Sequence, residues 1–523
     1  MTASMGNVRA VRAYLRSRGR TRASLLDQYV AGFGLAMVLV VVGRPISGVV
    51  AGLAGPVDPG RMGAGAALLA LALVAFLAGA RAAGPVLLPA PDASWLLLSP
   101  LHRRRVLGRS WRALAVVAVV AGLVLGLGLV AVLGAPDQLV WRLLGALALG
   151  VAMTAGGMAL AVLGQASQSW QVWVTASMAA LLVLAVVAVS GQARSVLAVA
   201  ASAPLPALAA AVSGAAVVSG LLVRQAWSSL DRIPTRTLLT ASTRAGHVAN
   251  AAVGLDPSGL AWIAEDNHWR ARKLRSRRWP ALPAPLALAW HDWLRLARRP
   301  GRLATMFATA ALPAVLAQAG GASAALGAAV LLGALAVAAT STSGVRRDSD
   351  NPSLARLIGV GHRQALAARA VLPTLLSGVW ATLALTALTL AGALPGMAGT
   401  GSPASTSGLA ETGGLAGASG SGSWWLFGVL VAPALTAGAL RMARRRPIDH
   451  SMPVIDTPGG AIPTGPLIWA FTGVDLAVLG CLPTVAALLF PPAGLGGYLT
   501  AQAVAGVLVL TGYVLRARPG EPS

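Results

Sequence analysis

The sequence is poor in thiols, in amines and in charge. It has one cysteine, Cys481, so no disulfide can form within the chain and no cysteine-based metal site can be built. It has one lysine, Lys273, which is followed by Leu274, whereas a phosphate-binding loop of the Gly-Lys-Ser/Thr type needs a hydroxyl residue there. The chain therefore cannot bind ATP through such a loop, and we predict that it is not an enzyme.

Charged residues make up only 11% of the 523 residues and hydrophobic residues make up 56%. This composition is typical of polytopic membrane proteins. A helix needs about 20 apolar residues to cross a hydrocarbon core about 30 Å thick. About twelve segments meet this requirement, and none alternates like a barrel strand, so the sequence predicts an all-α polytopic membrane protein. The predicted spans are 25–43, 63–81, 113–134, 140–164, 172–190, 196–223, 303–320, 322–343, 370–393, 424–440, 467–490 and 496–515.

Basic residues lie almost entirely on one side of this predicted topology. If the N-terminus is cytoplasmic, the cytoplasmic segments contain all 41 lysines and arginines except Arg44, Arg61, Arg142 and Arg194. This is the positive-inside asymmetry of a multi-pass protein, and it predicts a plasma-membrane location with both termini in the cytoplasm. The net charge of +25 then belongs to a membrane face that contacts anionic lipids, and nucleic-acid binding is not expected.

The chain divides into two predicted halves joined by a linker. Residues 1–223 form a first six-span half, 224–289 a basic cytoplasmic linker, and 290–523 a second six-span half. A basic, aromatic-bearing segment precedes the first span of each half, "VRAYLRSRGRTRASL" and "WHDWLRLARRPGRL", which suits an interfacial helix. The Gly/Ser/Thr-rich segment 397–423 predicts a flexible outer loop. Because six is even, both halves begin in the cytoplasm and are parallel repeats.

A short cytoplasmic element repeats in the two halves. It spans residues 91–110 in the first half and 350–370 in the second, and each copy follows the second span and runs into the third. Aligning His102 with His362 also aligns Arg103 with Arg363 and Arg109 with Arg369. An acidic residue precedes each histidine. The residues assigned to the two elements are Asp92, Trp95, Pro100, His102, Arg103, Arg104, Arg105 and Arg109 in the first, and Asp350, His362, Arg363 and Arg369 in the second.

The first element, "DASWLLLSPLHRRRVLGR", reads acid, Leu-Leu, Pro, basic cluster, Arg, and is preceded by an amphipathic helix and a pair of spans. In this order of features the chain resembles the permease subunits of type-two ABC exporters, and also fused twelve-span permeases of actinobacterial type. The resemblance implies that each element is a short cytoplasmic coupling helix against which a separate ATPase subunit docks. Since one chain supplies both halves, two ATPase copies are expected.

The second element departs from this pattern. Gly359 and Gly361 flank the position where Pro100 would fall, and Gln364 and Ala365 replace two of the arginines. We therefore expect the first element to provide most of the ATPase contact. The simpler interpretation of the first element is an interfacial helix that Trp and Arg anchor to anionic lipids without a partner.

Acidic residues in the second half suggest two alternative functions. Asp475 is an acid inside a predicted span, which is costly and often functional, and it would suit a proton-coupled secondary transporter. A span that starts one turn later would place it at the inner interface. Asp348 and Asp350 have a spacing used by metal-dependent glycosyl transferases, which would suit a membrane enzyme acting on lipid-linked substrates. Pairing with Arg346 and Arg347, or helix capping, explains them more simply.

Other residue types add detail to the helices. The six histidines do not cluster, so neither a metal site nor a cofactor is expected.

Gly122 and Gly126 would permit close helix contact. Prolines inside spans predict kinks, which concentrate in the second half. The scarcity of charge within the spans suits a lipid-like or amphiphilic cargo. The prolines are Pro313, Pro373, Pro433 and Pro483.

Overall fold

Long apolar helices dominate the chain. Among the described residues, nine helices are long and apolar enough to cross a membrane, or ten if a bent pair counts as one span. The protein is therefore an all-α polytopic membrane protein, as predicted. The predicted first span, the N-terminal amphipathic segment and most of the linker and outer loop lie outside the described residues. The computed structural model describes residues 59–88, 93, 103–135, 137–243, 280–351, 357, 359–394, 423–445, 454–457, 460–463, 469, 471–490 and 494–517.

Each predicted span from 63–81 onward contains helix among the described residues, although several ends shift and some spans are divided into two helices. Those of the first half are α1 (Pro59–Ala83), α2 (Arg103–Leu133), α3 (Leu139–Ala166), α4 (Gln168–Val189), α5 (Arg194–Ala201) and α6 (Leu205–Ser229). Those of the second half are α7 (Ala284–Ala297), α8 (Pro300–Ala308), α9 (Leu312–Gln318), α10 (Ser323–Thr340), α11 (Ser343–Asp350), α12 (His362–Leu390), α13 (Trp424–Ala443), α14 (Val474–Leu489) and α15 (Gly496–Arg516). Strands β1 (Val454–Thr457) and β2 (Gly460–Pro463) pair antiparallel between α13 and α14.

Helices at equivalent positions in the two halves have equivalent neighbours. In the first half, α3 packs against α2, α4 and α6, and in the second half α13 packs against α12, α14 and α15. Helix α1 likewise contacts α2, α3 and α4, and α10 contacts α12, α13 and α14. Helices α3 and α13 are thus at the centre of their halves, and α13 is mostly buried.

Small residues allow close contact between α2 and α3 in the first half and between α12 and α13 in the second half. A Cβ added at Gly122 would lie 2.5 Å from the Cα of Val151, and one at Gly150 would lie 2.3 Å from the carbonyl oxygen of Gly122. The sequence repeat aligns Gly122 with Thr382, and a Cβ at Gly428 would lie 2.3 Å from the Thr382 nitrogen. Close backbone approach of this kind drives helix association in lipid, where apolar burial contributes little.

Two predicted spans of the second half depart from one regular α-helix. The span predicted at 303–320 consists of α8, a 3-10 turn at Thr309–Ala311, and α9, whose second residue is Pro313. Together they form one helical segment, Pro300–Gln318, so the kink predicted at Pro313 stays a prediction. The span predicted at 322–343 ends at Thr340, and the chain then bends by 50° into α11.

One piece of the seventh span contacts both halves. The N-terminal piece, α8, packs against α7 of its own half, whereas the C-terminal piece, α9, packs against α10 and α12 of its own half and also against α1 of the first half. Val315 of α9 is buried in one apolar cluster with Ala64 and Ala67 of α1. The seventh span therefore bridges the two halves.

A buried side-chain amide forms hydrogen bonds to the backbone of α14 next to Pro483. Gln502 of α15 is fully buried, and its Oε1 accepts hydrogen bonds from the Thr484 N–H at 3.2 Å and from the Thr484 hydroxyl at 2.8 Å. Its Nε2 donates to the carbonyl of Gly480 at 2.7 Å. These are the two backbone groups that an undisturbed helix would join to each other, so the amide bridges a gap in the helical ladder.

Candidate functional site

The described part of the first coupling element begins where helix α2 begins, at Arg103. Asp92, Trp95, Pro100 and His102 lie outside the described residues, as does the side chain of Arg105. Arg103 is half-buried and donates from Nη1 to the carbonyl of Ile233 at 2.9 Å and from Nη2 to the Thr235 hydroxyl at 2.8 Å. The first arginine of the element is therefore bound within the chain, to the segment that follows the sixth span.

Arg104 binds the same segment from the solvent side. It donates to the carbonyl of Ser228 at 3.0 Å and forms an ion pair with Asp231 at 2.6 Å. Both side chains of that pair are almost half exposed, so water and salt screen it. In contrast, Arg109 lies one to two turns further along α2 and is exposed.

A cluster of buried apolar residues lies next to these arginines. Leu107 of α2 packs against Leu163 of α3 and against Leu230, Ile233 and Leu238 of the post-span segment, and all five are at most 1% exposed. Each fully buried side chain of this size contributes about 1.5–3 kcal/mol to folding. The beginning of the linker is thus a structural part of the first half.

The connection from α1 toward the element is also fixed. The N–H of Val86 donates to Oε1 of Gln165 at 3.0 Å, and Nε2 of Gln165 donates back to the Val86 carbonyl at 3.0 Å. The N–H of Leu88 donates to the hydroxyl of Ser242 at 3.1 Å. Paired backbone groups on both sides hold the entry to the first element in one position.

The second element contains a buried charge cluster. Arg369 of α12 forms an ion pair with Asp292 of α7 at 2.5 Å, and both side chains are 6% exposed. The same guanidinium donates from Nε and Nη2 to the two carboxylate oxygens of Asp348 in α11, at 3.0 and 3.1 Å. One arginine therefore joins the amphipathic helix, the short acidic helix and the third span of the second half.

Gly344 makes room for this cluster. A Cβ at that position would lie 2.3 Å from Nη1 of Arg369 and 2.6 Å from Oδ1 of Asp292, both closer than real Cβ contacts. Only glycine at this position of α11 leaves space for the ion pair between α12 and α7.

Asp348 and Asp350 lie in different environments. Asp348 binds Arg369, while Asp350 is exposed at the last residue of α11. Among the described residues no group of three or more histidine, cysteine, aspartate or glutamate side chains could hold a metal ion. Asp348 is engaged as an ion-pair partner, although its arginine is Arg369 and neither Arg346 nor Arg347.

The remaining residues of the second element are more open. His362, the first residue of α12, is half-buried, and its Nε2 lies 3.2 Å from Nη2 of Arg444. Arg363 is exposed. Aligned arginines of the two elements therefore lie in opposite environments. Arg103 is bound by the protein and its counterpart Arg363 is exposed, whereas Arg109 is exposed and its counterpart Arg369 is buried.

Asp475 lies in the first turn of α14, at the end of the helix. It forms an ion pair with Arg441 at 2.8 Å, and both side chains are about 40% exposed. Its Oδ1 also accepts from the N–H of Gly473 at 2.7 Å. The carboxylate thus accepts from an N–H group at the N-terminus of the helix and pairs with Arg441, which places it at a helix end and not in the middle of a span.

Sequence reasoning did not identify Asp292, Asp231 or Ile233 as partners of the coupling arginines. Asp292 had one signal, since it is the only acid in the basic segment "WHDWLRLARRPGRL". An acid placed among arginines at an interface suggests a specific ion pair. The carbonyl of Ile233 has no sequence signal, because any residue supplies the same group.

Comparison with known proteins identifies a family but no activity. No curated protein and no solved structure matches the chain. Residues 58–421 match the family described as "Family of unknown function (DUF6297)". The match runs from the start of α1 into the segment 397–423, the predicted outer loop, and it covers well over half of the sequence, so the chain belongs to the family DUF6297.

Proposed function

We propose that the chain is the permease of an ATP-driven exporter in the plasma membrane, working with a separate cytoplasmic ATPase subunit. The single observation that carries this proposal is the repeated helix packing of the two halves, with a basic cytoplasmic element at the start of the third span in each. A chain that contains both halves would form one translocation unit and recruit two ATPase copies.

The contacts of the two elements support a coupling role. Each element is bound rigidly to a neighbouring segment of its own half, through Arg103 and Arg104 in the first and through Arg369 in the second. Each element also presents an exposed arginine, Arg109 and Arg363 respectively. A rigid base with an exposed cation is what a docking helix needs in order to pass force from a moving partner.

The alternative functions receive less support. Asp475 is paired with Arg441 at a helix end, which accounts for its charge without a proton relay. Asp348 is occupied by Arg369, which accounts for its position without a metal. We therefore do not propose a secondary transporter or a lipid-modifying enzyme.

Purification of the full chain from its native membranes tests the proposal. In a mild detergent, we expect an ATPase subunit to co-purify, as identified by mass spectrometry, with ATP hydrolysis in the eluate. Arg109→Glu should lower the recovered ATPase strongly, because it reverses an exposed charge on the docking face. The matched control is Arg194→Glu, an exposed arginine at the predicted outer face. Absence of an ATPase from the wild-type eluate, or equal recovery with both variants, would contradict the proposal.

A further inference from the structure

An apolar cleft of about 500 Å³ lies beside the seventh span. It is lined by α8 and α9, by one face of α10, by Trp380 of α12 and by Leu68 of α1. Its polar lining side chains are three threonines, Thr305, Thr309 and Thr340, and Trp380. Its volume falls within the range of about 300–1,000 Å³ that is usual for small-molecule sites.

The walls of the cleft are built by two specific features. The 3-10 turn Thr309–Ala311 interrupts the seventh span, and the Thr309 hydroxyl accepts a hydrogen bond from Nε1 of Trp380 at 3.1 Å. The Trp380 ring lies directly against Gly333, where a Cβ would be 2.2 Å from the ring edge. The indole, which is 3% exposed, is thus fixed at the wall of the cleft with its N–H satisfied.

The cleft has a cationic end. Arg302 donates from Nη2 to the carbonyl of Thr340 at 2.7 Å, and Thr340 is the last lining residue of α10. Arg298, at the C-terminal end of α7, lies four residues earlier in the chain and is exposed. This end is the predicted cytoplasmic end of the seventh span, so positive charge meets an apolar channel at the level of the lipid headgroups.

We propose that this cleft binds the acyl chain of an anionic amphiphile, whose headgroup is held at the Arg298 and Arg302 end. An apolar cavity favours apolar ligands over water, and arginine pairs with phosphate or carboxylate groups. We further infer that such amphiphiles are the cargo class, an inference that rests on the proposed permease function. The cleft suits this role because it lies where α9 of one half meets α1 of the other.

Photolabelling of the purified full chain tests the binding site without any partner. The probe is a photoreactive phosphatidic acid with a diazirine in its acyl chain, and labelled peptides are mapped by mass spectrometry. Ala336→Phe places a ring in the cleft, whereas Ala328→Phe makes the same change at an exposed position of α10 outside the lining. We expect Ala336→Phe to reduce labelling about tenfold and Ala328→Phe to leave it unchanged.

A second pair of variants tests the cationic end of the cleft. Arg298→Gln with Arg302→Gln should weaken labelling by the phosphatidic acid probe and leave labelling by the matching zwitterionic phosphatidylcholine probe unchanged. The control is Arg363→Gln, which removes an exposed arginine distant in sequence from the cleft.

Several results would overturn the binding proposal. These are equal labelling of Ala336→Phe and Ala328→Phe, labelling only of peptides outside the lining, or a cross-link from a photoreactive residue at position 336 to residues 25–43. The last result would mean that the chain itself fills the cleft.

The cargo inference is tested separately, by measuring ATP hydrolysis by the reconstituted complex. Phosphatidic acid should stimulate it in the wild type and not in Ala336→Phe. Labelling without such stimulation would overturn the cargo class and keep the binding site, whereas absence of the ATPase would overturn only the permease function and the cargo inference built on it.

Discussion

Arg369 and Asp292 form an ion pair at 2.5 Å although they lie 77 positions apart, and both side chains are 6% exposed. The pair joins the amphipathic helix α7 to the third span of the second half. A charge buried to this degree is stable only with its partner, so each residue depends on the other.

Removal of the arginine should destabilise the fold. We expect Arg369→Met to lower the free energy of unfolding by about 3–5 kcal/mol, because it leaves a buried carboxylate without a counter-charge. Thermal unfolding of the detergent-solubilised protein measures the effect. Arg363→Met, on the exposed side of the same helix, should change stability by no more than about 0.5 kcal/mol. Equal melting temperatures for the two variants would show that the pair is not buried in the folded protein.

A double substitution should be milder than its parts. Asp292→Leu alone leaves Arg369 with only the partly exposed Asp348, whereas Asp292→Leu with Arg369→Met removes both buried charges. Buried ion pairs replaced by apolar residues are often neutral in stability, while half-pairs are not. The double variant is therefore expected to unfold at a higher temperature than either single variant. Strict additivity of the two losses would argue against direct coupling.

A single methyl group should disturb the same cluster. Gly344→Ala would place a Cβ 2.3 Å from Nη1 of Arg369, so α11 has to move away or the ion pair has to open. We expect a loss of about 1–3 kcal/mol, measured as a lower melting temperature. The comparison is Gly301→Ala, where a Cβ meets no atom within 4 Å, and where alanine should be neutral or slightly stabilising.

The amide of Gln502 should be essential for the shape of α14. Gln502→Leu leaves the N–H of Thr484 and the carbonyl of Gly480 without their observed partner, and each unsatisfied backbone group inside the membrane costs several kcal/mol. The expected result is a marked loss of folded protein in size-exclusion profiles. Gln502→Glu retains an acceptor and, when its carboxyl is neutral, an O–H donor, so it should fall between leucine and the wild type. Unchanged profiles for the leucine variant would contradict the bridging role.

Two arginines of α2 should separate folding from partner binding. Arg103→Glu loses its hydrogen bonds to Ile233 and Thr235, so we expect both a lower melting temperature and weaker ATPase recovery. Arg109→Glu should reduce ATPase recovery without changing the melting temperature, because Arg109 is exposed. If both variants lose stability equally, Arg109 is held by the protein and does not form a docking surface.

Much of the helical architecture follows from the sequence, because apolar length alone determines where a helix can cross a bilayer. The segment 63–81 is predicted from that rule, and α1 extends it by a few residues at each end. The rule fails at 196–223, where Arg194–Ala201 forms a separate short helix and the long helix starts after Pro204. A continuous apolar run does not show where a helix is divided.

The partners of the coupling residues could not be predicted for a different reason. The aligned elements suggest equal roles for Arg109 and Arg369, yet one is exposed and the other is buried between two carboxylates. This difference depends on how α7 and α11 pack against α12. A repeat in sequence preserves the order of spans, but it does not preserve the side chains that each half places around them.

The 3-10 turn of the seventh span lies between two pieces with different neighbours. The C-terminal piece α9 packs against α1 of the other half, and α8 packs against α7, which Arg369 connects to α12. A shift of one half against the other would therefore reach residues 309–311 through α9. The Thr309 hydroxyl bonds the indole of Trp380 at that point, so such a shift would reach the wall of the cleft. Movement between the two halves and the width of an opening beside the seventh span would in this way depend on the same three residues.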